Sequence, residues 1–189
     1  MIILASNSPR RKELMEKYVT SSFLIKPSDI DESIYQDVDP IKTVEQTAKA
    51  KGDYVYQKHP DDIIISADTI VVINNVILGK PKDRKDAIRM LMMMKGKTHE
   101  VITSYFIRSK KLSMLRSVIS KVTLKDVEQS IIERYVDEYP PLDKAGSYGI
   151  QDEFFKDNIL DSYEGSLTNI IGLPIEKITE DLRRFSVIS

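Results

Sequence analysis

The chain contains no cysteine and no tryptophan, and only two histidines among 189 residues. Without cysteine there is no disulfide, no thiolate nucleophile and no cysteine-ligated zinc, which fits a reducing compartment. With His59 and His99 as the only imidazoles, a metal site built on several histidines is not expected either. No segment approaches the ~20 apolar residues of a membrane span, and the first residues lack a charged stretch leading into a long apolar one. These absences predict a cytoplasmic protein with no membrane partner. Charge of one sign is lacking too: 28 Lys and Arg stand against 29 Asp and Glu, for a net charge of −1. No global field draws such a chain to nucleic acid, and the interleaving of basic and aromatic residues that stacks single-stranded bases is missing. Any anion must be bound locally. The two common nucleotide loops, G-x-x-x-x-G-K-[ST] and G-x-G-x-x-G, are absent as well.

What is present is an ordinary globular balance, 41% hydrophobic and 30% charged, in a chain long enough for one large domain or two small lobes. No repeat, linker or low-complexity tract divides it, so residues 1–189 are read as one domain. Its most informative stretch is the first. The apolar Ile2-Ile3-Leu4 runs into Ala5-Ser6-Asn7, and Ser8 and Pro9 then supply an N-cap and a first helical position with φ already set. The first turn of this helix carries Arg10, Arg11 and Lys12, where the helix dipole favours acids and a cation costs about 0.3–1 kcal/mol. Guanidinium forks and free N–H groups meeting at one helix start suit a phosphate chain.

Further along, Leu14, Met15 and Tyr18 share one face of this helix, and Phe23-Leu24-Ile25 reads as a strand. Asp39-Pro40 opens a helix with an apolar stripe of Ile41, Val44, Ala48 and Val55, and Lys51 falls in register with that stripe. A lysine there either snorkels or reaches into a cleft. Ile63–Ile65 and Ile70–Ile73 would form one buried strand were they not interrupted by Ser66-Ala67-Asp68-Thr69, which puts Asp68 at the edge of the core. Asn74-Asn75 is a hairpin turn. Its return strand Val76–Leu78 leads to Lys80 and is expected to bring it back toward Asp68. Asp83 to Lys95 is helical, with Ile88, Leu91, Met92 and Lys95 in register. Thr98–Ile107 and Ser113–Val122 pair as strands, and Thr123 with Asp126 resembles a capping box for a helix ending near Tyr139. The segment 143–151 is rich in small residues, which permits close approach of backbone or ligand. Phe154 to Ser166 reads as a loop. The last helix, launched by Gly172-Leu173-Pro174, has Ile175, Ile178, Leu182 and Phe185 on its core face.

Four cations and one carboxylate break local rules: Arg10, Arg11, Lys51, Lys80 and Asp68. Spread along a cleft they match a triphosphate, and Asp68 would bind a divalent ion or orient water. These residues alone do not choose between hydrolysis and simple binding.

Ala5-Ser6-Asn7-Ser8-Pro9-Arg10-Arg11, Ala48-Lys49-Ala50-Lys51, Ser66-Ala67-Asp68-Thr69, Leu78-Gly79-Lys80-Pro81, Asp143–Gln151 and Gly172-Leu173-Pro174 resemble, in order and over nearly the whole chain, the motifs of the Maf family. The family is named for septum formation, and its members are nucleoside triphosphate pyrophosphatases that need a divalent cation. The resemblance implies an α/β fold with a mixed sheet split into two lobes around a nucleotide cleft. It also implies a nucleoside triphosphate substrate, Mg²⁺ or Mn²⁺ as cofactor, and a homodimer. It makes Asp68 the catalytic acceptor, and Ser6, Arg11, Lys51 and Lys80 the phosphate-binding set. Asp68 is also the implied metal ligand, with Asp31, which stands where relatives often carry Glu, as a second. Arg10, Thr69 and Gln151 match the branch acting on dTTP and UTP; the branch acting on 7-methylguanosine triphosphate would show an aromatic residue for Arg10 and Gln for Thr69. Gly165-Ser166-Leu167 departs from the family in lacking the aromatic residue that commonly follows Gly-Ser. Whether Asp68 takes a proton from water or chiefly holds the metal stays open, as does whether Arg10 serves the base or the phosphates. The alternative from another class is a non-catalytic nucleotide sensor regulating cell division.

Overall fold

A computed structural model describes residues 1–189. Its first strand, β1 (Ile2–Leu4), lies between β2 (Phe23–Ile25) and β3 (Ile63–Ile73) and is parallel to both. Parallel neighbours need crossovers, and these are the helices α1 (Pro9–Tyr18) and α2 (Pro40–Lys58). Because helices cover both faces, β1 and the start of β3 read as unbroken apolar runs. Ile3, Ala5 and Ile64 pack with Val55 of α2, while Ile2, Leu4 and Ile65 pack on the other side with Leu14 and Met15 of α1. That second cluster also takes in Ile175, Ile178 and Leu182 of the C-terminal helix Ile175–Arg184.

The rest of the sheet is mixed. The turn Asn74-Asn75, with φ of 49° and 62°, returns β3 into antiparallel β4 (Val76–Leu78). After α3 (Arg84–Met94) come β5 (Thr98–Arg108) and β6 (Ser113–Leu124), then α4 (Gln129–Glu138), α5 (Glu153–Asn158) and β7 (Leu160–Glu164). The strand order is β2-β1-β3-β5-β6-β7, with β4 paired on β3. Two helices, α6 (Leu167–Ile171) and α7 (Ile175–Arg184), end the chain. The fold is thus α/β on a seven-stranded mixed sheet. The chain divides into two compact units, the first made of Met1–Thr69, Thr103–Val118 and Thr168–Ser189, the second of Ile70–Ile102 and Ile119–Leu167.

Four expectations are corrected. Strand β3 runs unbroken through Ser66–Thr69 because the buried Ser66 hydroxyl donates to the Ala48 carbonyl of α2 at 2.6 Å, so the polar residue is satisfied inside the strand. Phe154–Ser166 is ordered as α5 and β7. Strand β7 is exposed along most of its length, so its pairing with β6 leaves no apolar alternation to read. Thr123 lies within β6 and bonds Thr98, and α4 starts at Gln129 with no side-chain cap, so there is no capping box at Thr123 and Asp126. Tyr18, Ile41 and Phe185 are exposed, each lying at the end of its helix beyond the buried stretch.

Candidate active site

In the first unit the helix start forms as the sequence demands. Ser8 is the N-cap of α1 and accepts from the Arg11 amide at 3.4 Å, and Pro9 is the first helical residue. The Arg11 side chain turns back over this end. Its Nε donates to the Gly172 carbonyl at 2.8 Å, one Nη to the Ser6 hydroxyl at 3.4 Å, and the other to the Thr69 hydroxyl at 3.1 Å. All three acceptors are neutral, and the guanidinium has more N–H groups than they use. Burial lowers the Arg11 pKa, with Arg10 adding to the effect and Asp68 opposing it. The group nonetheless stays charged at neutral pH, so its positive charge is available to an anion. The accepting Gly172 adopts φ +134°, a backbone conformation that residues with a side chain rarely take.

Behind Arg11 runs a directed hydrogen-bond chain. The Thr103 hydroxyl donates to the Asn169 carbonyl at 3.0 Å, which leaves its oxygen to accept from Thr69 at 2.8 Å. The Thr69 hydroxyl receives Arg11 and has two acceptors within reach, Thr103 at 2.8 Å and the Gly172 carbonyl at 3.5 Å. Thr103 is fully buried, so the chain fixes Arg11 from the interior outward.

Lys51 is where the stripe of α2 places it. Helix α2 packs so closely at the next residue that a Cβ on Gly52 would come within 2.6 Å of Ser66 Oγ. Lys51 Nζ consequently sits 3.2 Å from Asp68 Oδ1 and 3.5 Å from the Ala67 carbonyl, with its side chain 13% exposed and that of Asp68 15% exposed. A second carboxylate oxygen, from Glu32, reaches the same ammonium at 2.9 Å. Glu32 opens a short 3₁₀ turn, Glu32–Tyr35, whose N-cap is Asp31. The Asp31 carboxylate is turned onto that turn, accepting from the Ser33 amide at 3.1 Å and the Ser33 hydroxyl at 2.6 Å, bonds that lower its pKa. The geometry therefore sets Glu32, rather than Asp31, beside Lys51 and Asp68. Glu32 gives little sign of itself in the sequence because it stands in a segment with no periodicity; the available signal is its place at the end of the acidic stretch Asp29, Asp31, Glu32.

Two carboxylates beside one ammonium form a hard-oxygen donor set suited to Mg²⁺ or Mn²⁺. No cluster of three acidic or imidazole groups is present. An ion held by Asp68 and Glu32 would complete its shell with water and phosphate oxygens, the usual habit of Mg²⁺.

The second unit carries Lys80 and Gln151, both exposed. The Gly79 carbonyl beside Lys80 accepts from the Gly146 amide at 3.1 Å, which ties the segment after β4 to the loop of residues 143–151. Gln151 occupies the third position of the turn Gly149–Asp152, closed by the Asp152 amide on the Gly149 carbonyl at 3.1 Å. Of the expected site residues, the structure joins Ser6, Arg11 and Thr69 in one hydrogen-bonded group and Lys51 and Asp68 in another, all in the first unit. Arg10 occupies the first turn of α1.

An α/β architecture of this kind has been seen before. The chain matches the solved structure of a HAM1 protein from Coxiella burnetii with a TM-score of 0.57 at 11% identity, covering 97% of this chain and 98% of that one. That likeness defines the fold class. Sequence goes further: a family model described as Maf-like protein matches residues 1–185. A protein of Pyrococcus furiosus named dTTP/UTP pyrophosphatase is 42% identical over 92% of this chain and 90% of its own length. One of the same name from Acholeplasma laidlawii is 39% identical over 100% and 98%. The chain belongs to the Maf family.

Proposed function

We propose that the protein hydrolyses dTTP and UTP to the nucleoside monophosphate and pyrophosphate, with a divalent cation. The relatives' shared name supports this substrate pair. The observation that carries the reading is the charge of the first unit: Arg11 rests on neutral oxygens alone, and Asp68 shares Lys51 with Glu32. Arg11, Lys51 and Lys80 bind the phosphate oxygens and stabilise the charge that develops on them, which is the largest expected contribution to rate. Water attacks the α-phosphorus, the bond to the α,β-bridging oxygen breaks, and pyrophosphate departs with the electron pair. Asp68 either accepts the water proton or holds the cation; both roles use an ionised carboxylate. A bound Mg²⁺ or Mn²⁺ supplies charge neutralisation on the phosphates, and Asp68 and Glu32 are the residues to hold it.

The base is read by Gln151 and Arg10. Uracil and thymine share an edge of two carbonyls and one N–H, which the Gln151 amide matches as donor and acceptor; cytosine replaces one carbonyl with an amino group and reverses the ring nitrogen. Thr69 acts by holding Arg11, with its hydroxyl also within reach of Thr103 and the Gly172 carbonyl. The test is pyrophosphate release from UTP, dTTP, CTP and 7-methylguanosine triphosphate with Mg²⁺ or Mn²⁺. Faster release from UTP and dTTP is expected. Binding of these nucleotides with no release from any of them would replace the enzyme by a nucleotide sensor.

A further inference from the structure

Gln151 is exposed on a two-residue corner, yet a base-reading amide must be held in one orientation to discriminate. We propose that Tyr135 is a positioning residue for Gln151, acting as a clamp that closes the Gly149–Asp152 turn from below. The inference rests on the reading of Gln151 as the residue that selects uracil and thymine.

The clamp is a closed ring of three hydrogen bonds. The Gly149 amide donates to the Tyr135 phenolic oxygen at 2.9 Å, the Tyr135 hydroxyl donates to Asp152 Oδ2 at 2.6 Å, and the Asp152 amide donates to the Gly149 carbonyl at 3.1 Å. Both ends of the turn that carries Gln151 are thus fastened to one side chain. Three features show that the turn is built around this arrangement. Asp152 is the N-cap residue of α5 but makes no side-chain cap bond, so its carboxylate forgoes the helix to take Tyr135. A Cβ on Gly149 would lie 2.9 Å from Asp152 Oδ2 and 3.0 Å from Lys144 Cε, so a side chain there would push on the carboxylate that Tyr135 holds. Tyr135 itself is closely packed: it is fully buried, stacked on Tyr139 and Phe154 and tilted against Phe155. Burial and the bond to Asp152 raise its pKa, so the phenol stays protonated as the ring of donors requires. Ile150 is buried and anchors the other corner residue, which leaves Gln151 projecting from a fixed backbone.

Tyr135→Phe keeps the stacked ring and removes only the hydroxyl. It should raise KM for UTP by about fivefold to twentyfold, leave kcat within about twofold, and lower the preference for UTP over CTP by a similar factor. Asp152→Ala should behave alike, and Asp152→Asn, which keeps an acceptor oxygen for the phenol, should restore most of the preference. The decisive arm is Tyr135→Phe in a Gln151→Leu background. If Tyr135 acts through Gln151 it adds nothing there, whereas a merely structural residue would add its full effect. Wild-type preference in Tyr135→Phe, or full additivity with Gln151→Leu, overturns the clamp while leaving the enzyme reading intact. A wild-type protein that releases no pyrophosphate from UTP overturns that reading and the clamp with it.

Discussion

The two units hold their functional side chains by opposite means. In the first, charged groups are fastened to one another and to neutral oxygens of the core: Arg11 to Gly172, Ser6 and Thr69, and Lys51 to Asp68 and Glu32. In the second, Lys80 and Gln151 stand exposed, and the fastening is done to the backbone beneath them, by Gly146 on Gly79 and by Tyr135 on Gly149. The first arrangement suits work that depends on field strength in a partly desolvated place, the second work that depends on orientation. Variants of Asp68, Arg11 and Lys51 should therefore weaken every triphosphate alike, and variants of Gln151 or of the turn beneath it should change the ranking of bases.

The largest effect belongs to Asp68→Asn, expected to lower kcat by about 10²–10⁴-fold for all triphosphates without reordering them. Measuring cation affinity of the same variant assigns its role: unchanged affinity marks a proton acceptor, lost affinity a metal ligand. Beside it, Glu32→Gln should cost at least about tenfold in kcat/KM, while Asp31→Asn stays within about twofold. The reverse order would displace Glu32 from the site. Stability offers a separate contrast, because the second unit buries a histidine. Burial pushes the His99 imidazole from 6.5 down to about 4. The unfolded chain takes up this proton near pH 6.5 and the folded one only near 4. The neutral imidazole's contribution is therefore complete above pH 6.5 and is lost as pH falls toward 4, on the order of 3 kcal/mol. Urea unfolding between pH 7 and 4.5 should show a steeper loss for wild type than for His99→Gln; equal slopes would contradict it.

Gln151→Leu should lower kcat/KM for UTP by about tenfold to a hundredfold and CTP far less, with unfolding unchanged because the residue is exposed. Thr103→Val is the smallest and sharpest partner to it. Losing the hydroxyl that Thr69 leans on should reduce kcat/KM about fivefold for UTP and CTP together. A change in the UTP to CTP ratio there would erase the distinction between Arg11 as a phosphate binder and Gln151 as a base reader.

Much of this was legible where the sequence broke a local rule. Arg10 and Arg11 in the first turn of a helix, and Lys51 on an apolar stripe, announce themselves because their positions are unfavourable without a reason. Residues that obey the rules stay hidden. Thr103 is a β-branched residue in a strand, and Tyr135 is a buried aromatic on the apolar side of α4. Only their hydroxyl partners, distant in sequence, give them a second role. Glu32 stayed unread because one-residue neighbours in an acidic loop cannot be told apart until the chain's direction is known; Asp31 took the cap and left Glu32 to reach Lys51. Strand β7 escaped because an exposed edge strand is held by its ladder and not by burial.

The charges of the first unit are proposed to serve attack of water on the α-phosphorus. Hydrolysis of UTP in water enriched in heavy oxygen, followed by mass spectrometry of both products, tests it directly. Heavy oxygen is expected in the nucleoside monophosphate and none in pyrophosphate. Label in pyrophosphate, or release of orthophosphate carrying it, would contradict attack at the α-phosphorus.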